Sequence, residues 1–322
     1  MTGRTSGLRV AFAGVAHSHP WADAANLVDI GATVSAVWDA DDPARRDDFA
    51  ERFGAAVAPD PGALLADGPD LVVATPRTPR AVAVAAACAA AGIPVFLNKT
   101  VAASEEAVGA FDRLDAAGSR FSTASVLRFA PAVAGFAERV DPARMLAVEV
   151  SAQHDIAGFL TPERDWQDDP AGAGGTILNV GLHAFELLDA VIPGARPIIA
   201  VGRSARGDLP TRSETVALAL GSVHGVPLTV SVSGVPGPDR YAIRVLAPDG
   251  AHELVLGDGD DLGYTGLARR LVDFARGGDA PVAWRRSRES YRAALELAAL
   301  TREPAPVLVA EPARELVAEP AR

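Results

Sequence analysis

Cysteine occurs once in the 322 residues, at Cys88, which excludes an internal disulfide and any metal site built from several thiolates. Its place in the alanine-rich run 81–91 reads as a buried packing position, and a reducing compartment fits such usage. Long apolar runs are also missing. That same run is the longest, and it falls short of the ~20 residues needed to span a bilayer, so no membrane segment is expected and the protein is expected in the cytoplasm. The short stretch 10–16 after Arg9 reads as a first strand and not as a signal peptide. Basic charge is the minority: 30 Lys and Arg stand against 41 Asp and Glu, for a formal net charge of −11 and a pI near 5.0. Without clustered cations a nucleic-acid surface is excluded, and a small-molecule partner is expected. Neither a Gly-x-Ser-x-Gly elbow nor a Walker loop occurs.

With 49% hydrophobic content, the chain has enough apolar surface for a large core, and its length favours two domains. Apolar β-type runs at 8–13, 33–38, 71–75, 95–97 and 121–125 alternate with helical segments near 21–28, 43–53, 79–91 and 104–117. Several of these helices open on Pro or Ser and close near Gly, as caps require. This order predicts an α/β fold with an N-terminal, Rossmann-type doubly wound parallel sheet over residues 1–140. Asp141-Pro142 marks a break. Beyond it strands follow strands, at 198–201, 215–220, 228–233, 241–246 and 252–256, with a helix starting at Gly174 and closing helices near 267–275 and 290–300. Residues 141–302 are therefore expected to form an α+β domain with a largely antiparallel open sheet. Residues 303–322 repeat Leu-Val-Ala-Glu-Pro-Ala-Arg from Leu308 and from Leu316 and read as a low-complexity tail.

The first strand runs into Gly14-Val15-Ala16-His17-Ser18-His19-Pro20, where a dinucleotide-binding turn belongs. Only the first glycine of G-x-G-x-x-G is kept: Ala16 and His19 stand where the second admits the pyrophosphate and the third lets helix and strand pack. An imidazole donating to the pyrophosphate in place of a backbone N–H is the preferred reading of His17 and His19. Their i, i+2 spacing also suits a metal, completed by His154-Asp155 or His183, but no third ligand is fixed by spacing and none is assigned. Asp39 ends the second strand, where a carboxylate accepts from an adenosine ribose and favours NAD over NADP. Arg45 and Arg46 read as surface charges of the following helix. Arg77 and Arg80 flank the turn at Thr75-Pro76 and read either as nucleotide contacts or as a solvated helix start. Lys99 lies just past the fifth strand, at the edge where such sheets bind ligands, and is the leading candidate for catalysis. The cofactor edge thus comprises Gly14, Ala16, His17, His19, Asp39, Thr75, Pro76, Asn98 and Lys99.

At Asn98-Lys99-Thr100 the chain resembles the Gfo/Idh/MocA oxidoreductases, the group of glucose-fructose oxidoreductase and inositol dehydrogenase, whose fifth strand ends in Glu-Lys-Pro. Arg128-Phe129-Ala130-Pro131 is similar to that family's Arg-Phe-x-Pro at the domain crossover, and Asp165-Trp166 leads to Gly174-Gly175 as it does there. The stretch from Gly174 to His183 resembles the family's glycine-rich entry to a helix carrying an Asp and, four residues on, the active-site His. The likeness covers most of residues 8–300. It implies hydride transfer between NAD or NADP and a sugar, cyclitol or related polar metabolite, in a homo-oligomer (dimer or tetramer) built on the open sheet face. It implies that Lys99 orients and polarises the substrate oxygen while His183 relays the proton, with Asn179 beside them. Arg128, His154, Trp166, Asn179 and His183 are expected around the substrate.

The spacing of Asn179 and His183 on a helix places both on one face, and Lys99 meets them from the other domain. Three positions depart from the family: Asn98 for Glu, Asn179 for Asp and Glu186 for Asp. A carboxylate ~4 Å from a cation is worth about 4 kcal/mol at an effective dielectric of ~20; its loss lowers the basicity of a lysine or histidine. Two meanings follow. A site cleared of carboxylates receives an anionic substrate better, or a less basic Lys99 acts as general base in a redox-neutral lyase, isomerase or cyclase together with His183. A metabolite sensor without turnover is a third reading, against which the surviving Lys99 and His183 count. His224 and His252 read as structural.

Overall fold

A computed structural model of the chain describes residues 7–206 and 209–302; the repeats at 303–322 lie outside them. The first half alternates strand and helix: β1 (Arg9–Val15), α1 (His19–Asp29), β2 (Thr33–Trp38), α2 (Pro43–Phe53), β3 (Ala56–Val57), α3 (Pro61–Ala66), β4 (Leu71–Thr75), α4 (Ala81–Ala90), β5 (Val95–Asn98), α5 (Glu105–Ala116) and β6 (Phe121–Ala124). The six strands form one sheet in the order β3-β2-β1-β4-β5-β6, every pair parallel. Helices cover both faces, so β4, β5 and β6 are buried along their whole length and read as continuous apolar runs. Caps set the helix limits. Asp42, Asp60 and Ser104 each accept a backbone N–H from the first turn of the helix they precede, and Gly54 closes α2 in the left-handed region at φ 66°. Cys88 is buried in α4, which pushes its thiol up to about 12.

The two-residue β3 and the six-residue α3 are too short to leave a periodic signal, and sequence reasoning passes over them. Gly14 differs more. The strand does not end at Ala13 but continues to Val15, with a register shift against β4 between Ala13 and Val15. Gly14 takes φ +93°, and a Cβ there would lie 2.5 Å from the Pro76 Cα. Close approach of the β1 and β4 ends is therefore what requires this glycine.

Beyond β6, a 3₁₀ turn at Val126–Phe129 and α6 (Pro131–Ala137) lead into β7 (Ala147–Gln153). Then come 3₁₀ turns at Ile156–Leu160 and Asp165–Asp168, α7 (Gly175–Asn179), α8 (Gly181–Val191), β8 (Pro197–Ala205), β9 (Val216–Val223), β10 (Val226–Ser233), β11 (Arg240–Ala247), β12 (Gly250–Gly257), α9 (Tyr264–Ala275) and α10 (Trp284–Arg302). The second sheet runs β12-β11-β7-β10-β9-β8 and is antiparallel except where β7 and β10 run parallel. β7 escapes a sequence reading because Glu149 and Ser151 dilute its apolar run, although Val148, Val150 and Ala152 are buried in strict alternation. His224 takes φ 50° beside Gly225 at φ 79° in the β9–β10 hairpin turn, the structural place its sequence context implies.

α8 and α10 pack on the inner face of this sheet, and α10 also reaches α5 and β6. There Trp284 Nε1 donates to Asp112 at 2.7 Å, and Tyr291 Oη accepts the Val101 N–H at 3.0 Å. The outer face leaves Ile198, Leu218, Leu220 and Val255 exposed. α9 crosses back to the first half: Leu267, Leu271 and Phe274 join Val10, Phe12 and Phe96 in one apolar cluster. Among the described residues no helix is long and apolar enough to cross a membrane.

Candidate active site

A cavity enclosing about 160 Å³ lies beyond the carboxyl ends of β1 and β5, against the second sheet. Its wall brings together His17 and His19 from the turn after β1, Lys99 after β5, Asn179 and His183 at the α7–α8 junction, and His154 after β7. These are six of the side chains expected from the sequence, drawn from both halves. Residues that the sequence does not signal complete the wall, chiefly Arg164, Gln167, Asp239, Tyr241 and Tyr264. Ligand sites of ~300–1,000 Å³ hold drug-sized molecules, so this one suits a small metabolite.

Lys99 Nζ donates to the Asn179 backbone oxygen at 2.7 Å. Burial, then the charge of Arg164, lowers the Lys99 amine to about 7, with Asp239 acting weakly in the opposite sense. The direction is the one expected from the missing carboxylates. At neutral pH the amine exists in both protonation states, the condition a general acid–base group needs.

Asn179 reaches the wall beside His183, as its spacing suggests, but its side chain is engaged within the protein. The helix breaks at Val180 (φ −102°, ψ −46°), and the Asn179 side-chain amide donates to the carbonyls of Gln167, Ala173 and Gly175 at 3.1, 3.1 and 2.9 Å. Its Oδ1 accepts from Thr100 Oγ1 at 3.3 Å. An aspartate lacks these donors, which explains the amide: Asn179 locks the turn that presents its own carbonyl to Lys99. His183 is fixed by Ser125 Oγ, 2.7 Å from its Nδ1, and burial followed by the Lys99 charge holds it well below the usual imidazole range. His17 is held low by burial and then by His19; His19 falls to about 3 through burial and then Lys99. His154 Nδ1 lies 2.7 Å from Asp239 Oδ1, and Asp239 also accepts from Tyr241 at 3.2 Å. Asp155, adjacent in sequence, instead caps the 156–160 turn. Among the described residues no group of three or more His, Cys, Asp or Glu side chains is placed to hold a metal ion.

Behind Lys99, Asn98 is buried and donates to Asp23 Oδ2 at 2.7 Å and to Thr75 Oγ1 at 2.9 Å. Burial raises Asp23 to about 7. Asn98 thus faces inward, into a buried polar cluster at the strand ends.

Two sequence-derived substrate contacts lie elsewhere. Arg128 is buried in a network with Glu186 and Asp189, and Asp189 also pairs with Arg286 at 2.8 Å. A buried guanidinium needs such carboxylates, and they hold Arg128 on α8, away from the cavity. Trp166 is off the wall because the 165–168 segment is a 3₁₀ turn, in which residues three apart align. Arg164 and Gln167 therefore share the cavity side, bonded Nε to Oε1 at 2.8 Å, and Trp166 does not.

At the cofactor edge the backbone donors are largely engaged within the protein. The Val15 N–H goes to Asp39 Oδ2 at 2.7 Å, Ala16 N–H to the Thr75 oxygen at 3.0 Å, and His19 N–H to His17 Nδ1 at 3.4 Å. Asp39 is buried and also accepts from the Asp41 and Asp42 N–H groups at 2.7 and 3.0 Å. A carboxylate has about four acceptor positions, so one remains for a ribose hydroxyl. Arg45 is no simple surface charge: Nε donates to the Val15 oxygen at 3.0 Å and the guanidinium lies 4.5 Å from the Trp21 ring centre. Arg80 pairs with Asp41. Among the described residues His19 Nδ1 is buried without a partner, and the His17 Nδ1 contact leaves Nε2 as the protonated nitrogen of a neutral ring. For a dinucleotide at this edge, the donors on offer to a phosphate would be imidazole and guanidinium more than backbone N–H.

No protein-family model matches the chain, and no curated protein is similar to it in sequence. Solved structures share its fold across nearly its whole length. GenD2 from gentamicin A biosynthesis, solved in complex with NAD, is 20% identical over 92% of this chain and 93% of its own, at a TM-score of 0.77. Myo-inositol 2-dehydrogenase from Lactobacillus plantarum is 14% identical over 92% and 97%, at 0.78. Scyllo-inositol dehydrogenase from Lactobacillus casei, solved with NAD(H) and scyllo-inositol, is 12% identical over 92% and 97%, at 0.77. The chain thus has the two-part fold of these dehydrogenases, a six-stranded parallel sheet joined to a mostly antiparallel one.

Proposed function

We propose that the protein is a nicotinamide-dependent oxidoreductase that interconverts a hydroxyl and a keto group on a small polar metabolite of the sugar or cyclitol kind. The observation that carries this reading is the convergence of Lys99 and His183, from opposite halves, on one small cavity beside the Gly14–His19 turn. The comparisons support it through fold, since relatives of the same architecture were solved with NAD. When bound, a nicotinamide supplies the hydride acceptor. His17, His19, Arg45 and the free position of Asp39 would hold the dinucleotide, with Asp39 favouring NAD.

The chain's own residues supply the proton chemistry. Neutral Lys99 takes the hydroxyl proton as the carbon is oxidised, and Lys99 in its ammonium form returns it in the reverse direction. The Asn179 carbonyl fixes the amine. His183, neutral and anchored by Ser125, orients the substrate oxygen. The inward-turned Asn98 adds no charge beside the amine and leaves its basicity low.

Equilibrium titration with NADH and NADPH tests the reading. Saturable binding of at least one is expected, together with substrate oxidation matched one to one by nicotinamide reduction. No binding of either at millimolar concentration, or turnover without any change in the nicotinamide, overturns it.

A further inference from the structure

The cavity wall carries an imbalance of charge that hydroxyl–keto chemistry does not require. Arg164 enters from the position just before the 3₁₀ turn, with its guanidinium 5.2 Å from the Phe159 ring centre and its Nε bonded to Gln167. Among the described residues no carboxylate pairs with it. Among the described residues, Lys99 likewise has only a backbone carbonyl as hydrogen-bond partner. Among the described residues, Asp239 is the one carboxylate on the wall, and both its oxygens are engaged, by His154 and Tyr241. The remaining imidazoles, His17, His19 and His183, are donors or acceptors without negative charge.

Arg164 and the ammonium form of Lys99 share a small space in which, among the described residues, Asp239 is the one carboxylate; the two cations destabilise one another, and removing them from water adds to the cost. Such an arrangement persists where a ligand supplies the missing charge. With Nε bonded to Gln167, Arg164 keeps its two terminal nitrogens for a planar, two-oxygen acceptor. We infer that the substrate is a hydroxy acid whose carboxylate is received by Arg164 while its hydroxyl meets Lys99. The size of the cavity suits a single small acid. This inference rests on the cavity being the substrate site, as proposed above, but not on hydride transfer.

Binding without nicotinamide separates the two. The full chain is titrated calorimetrically with three matched pairs, D-glycerate and glycerol, D-gluconate and D-glucitol, D-glucuronate and D-glucose, with glycerol 3-phosphate as the phosphate arm. At least one acid is expected to bind ten-fold or more tightly than its neutral partner. Arg164→Met should bring that pair within about three-fold, and Arg164→Lys should keep part of the preference. Gln167→Glu, which places a carboxylate beside Arg164 within the protein, should also erase it. The bound acid, unlike its neutral partner, should shift the titration of Lys99 upward, because Arg164 is the charge that depresses it after burial. No preference for the acid in any pair, a preference that survives both Arg164→Met and Gln167→Glu, or tighter binding of glycerol 3-phosphate than of every acid overturns the inference. Charge preference with no NADH or NADPH binding would leave this inference standing and remove the oxidoreductase reading; the reverse result would do the opposite.

Discussion

Lys99 Nζ donates to the Asn179 backbone oxygen across the junction of the two halves, at 2.7 Å. The amine is thereby held at the cavity wall by a turn that belongs to the second sheet's helices, and that turn is itself locked by three bonds from the Asn179 amide. Lys99→Met keeps the stem and removes the proton acceptor. Turnover should fall about 10²–10⁴-fold, the range for a lost acid–base group, while nicotinamide affinity stays within a few-fold of the parent. Steady-state kinetics beside a nucleotide titration give both numbers; unchanged turnover would take Lys99 out of the mechanism.

Asp23 sets a pH dependence of stability. Its folded pKa is raised to about 7 from 3.8 by burial, so between those values the folded state holds a proton that the unfolded state has lost. Stability contributed by this group is complete below about pH 4 and declines as pH rises to 7. Asp23→Asn keeps the shape and removes the titration. Its melting temperature should therefore gain on the parent's as pH goes from 4 to 8, and parallel melting curves over that range would contradict the assignment.

Arg128 tests whether a family-like motif marks a binding residue or a structural one. Its guanidinium serves Glu186 and Asp189 in the interior, and removing one partner from a buried ion network costs about 3–5 kcal/mol. Arg128→Met should lower stability by that order in a denaturant titration, yet leave KM unchanged below its unfolding temperature. A raised KM with normal stability would return Arg128 to the substrate site.

Gly14→Ala should destabilise the protein whether or not a nucleotide is present, because the added Cβ meets Pro76 backbone atoms at 2.5 Å and the residue sits at φ +93°. Strain of this kind costs about 1–3 kcal/mol before any clash is counted. A variant with parental stability and weakened nucleotide binding alone would instead make Gly14 a phosphate-loop glycine.

Much of the architecture is legible in the sequence because its signals are local. Buried parallel strands make unbroken apolar runs, and Pro43, Ser104 and Gly54 mark helix limits by backbone chemistry. Lys99 and His183 are legible for a second reason, their position at a strand end and a helix start facing the sheet edge. Arg164, Asp239 and Tyr241 are not, since what brings them to the cavity is the pairing of β7 with β11 and a 3₁₀ turn, both fixed by contacts far apart in the chain. Asp39 and Arg45 show the same limit in reverse. Both lie near their expected places, but the backbone groups they bind, at Val15, Asp41 and Asp42, become visible only when the turn is folded.

The chain contains a single lysine, so the protonation of the proposed catalytic amine is open to direct measurement. Labelling Lys99 with carbon-13 methyl groups and following its NMR shift from pH 5 to 11 reports that one side chain, with the N-terminal amine as internal reference. The account predicts a titration midpoint near 7. A midpoint near the ordinary lysine value of about 10.4 would contradict it, because an amine that stays charged at neutral pH is not the proton acceptor described here.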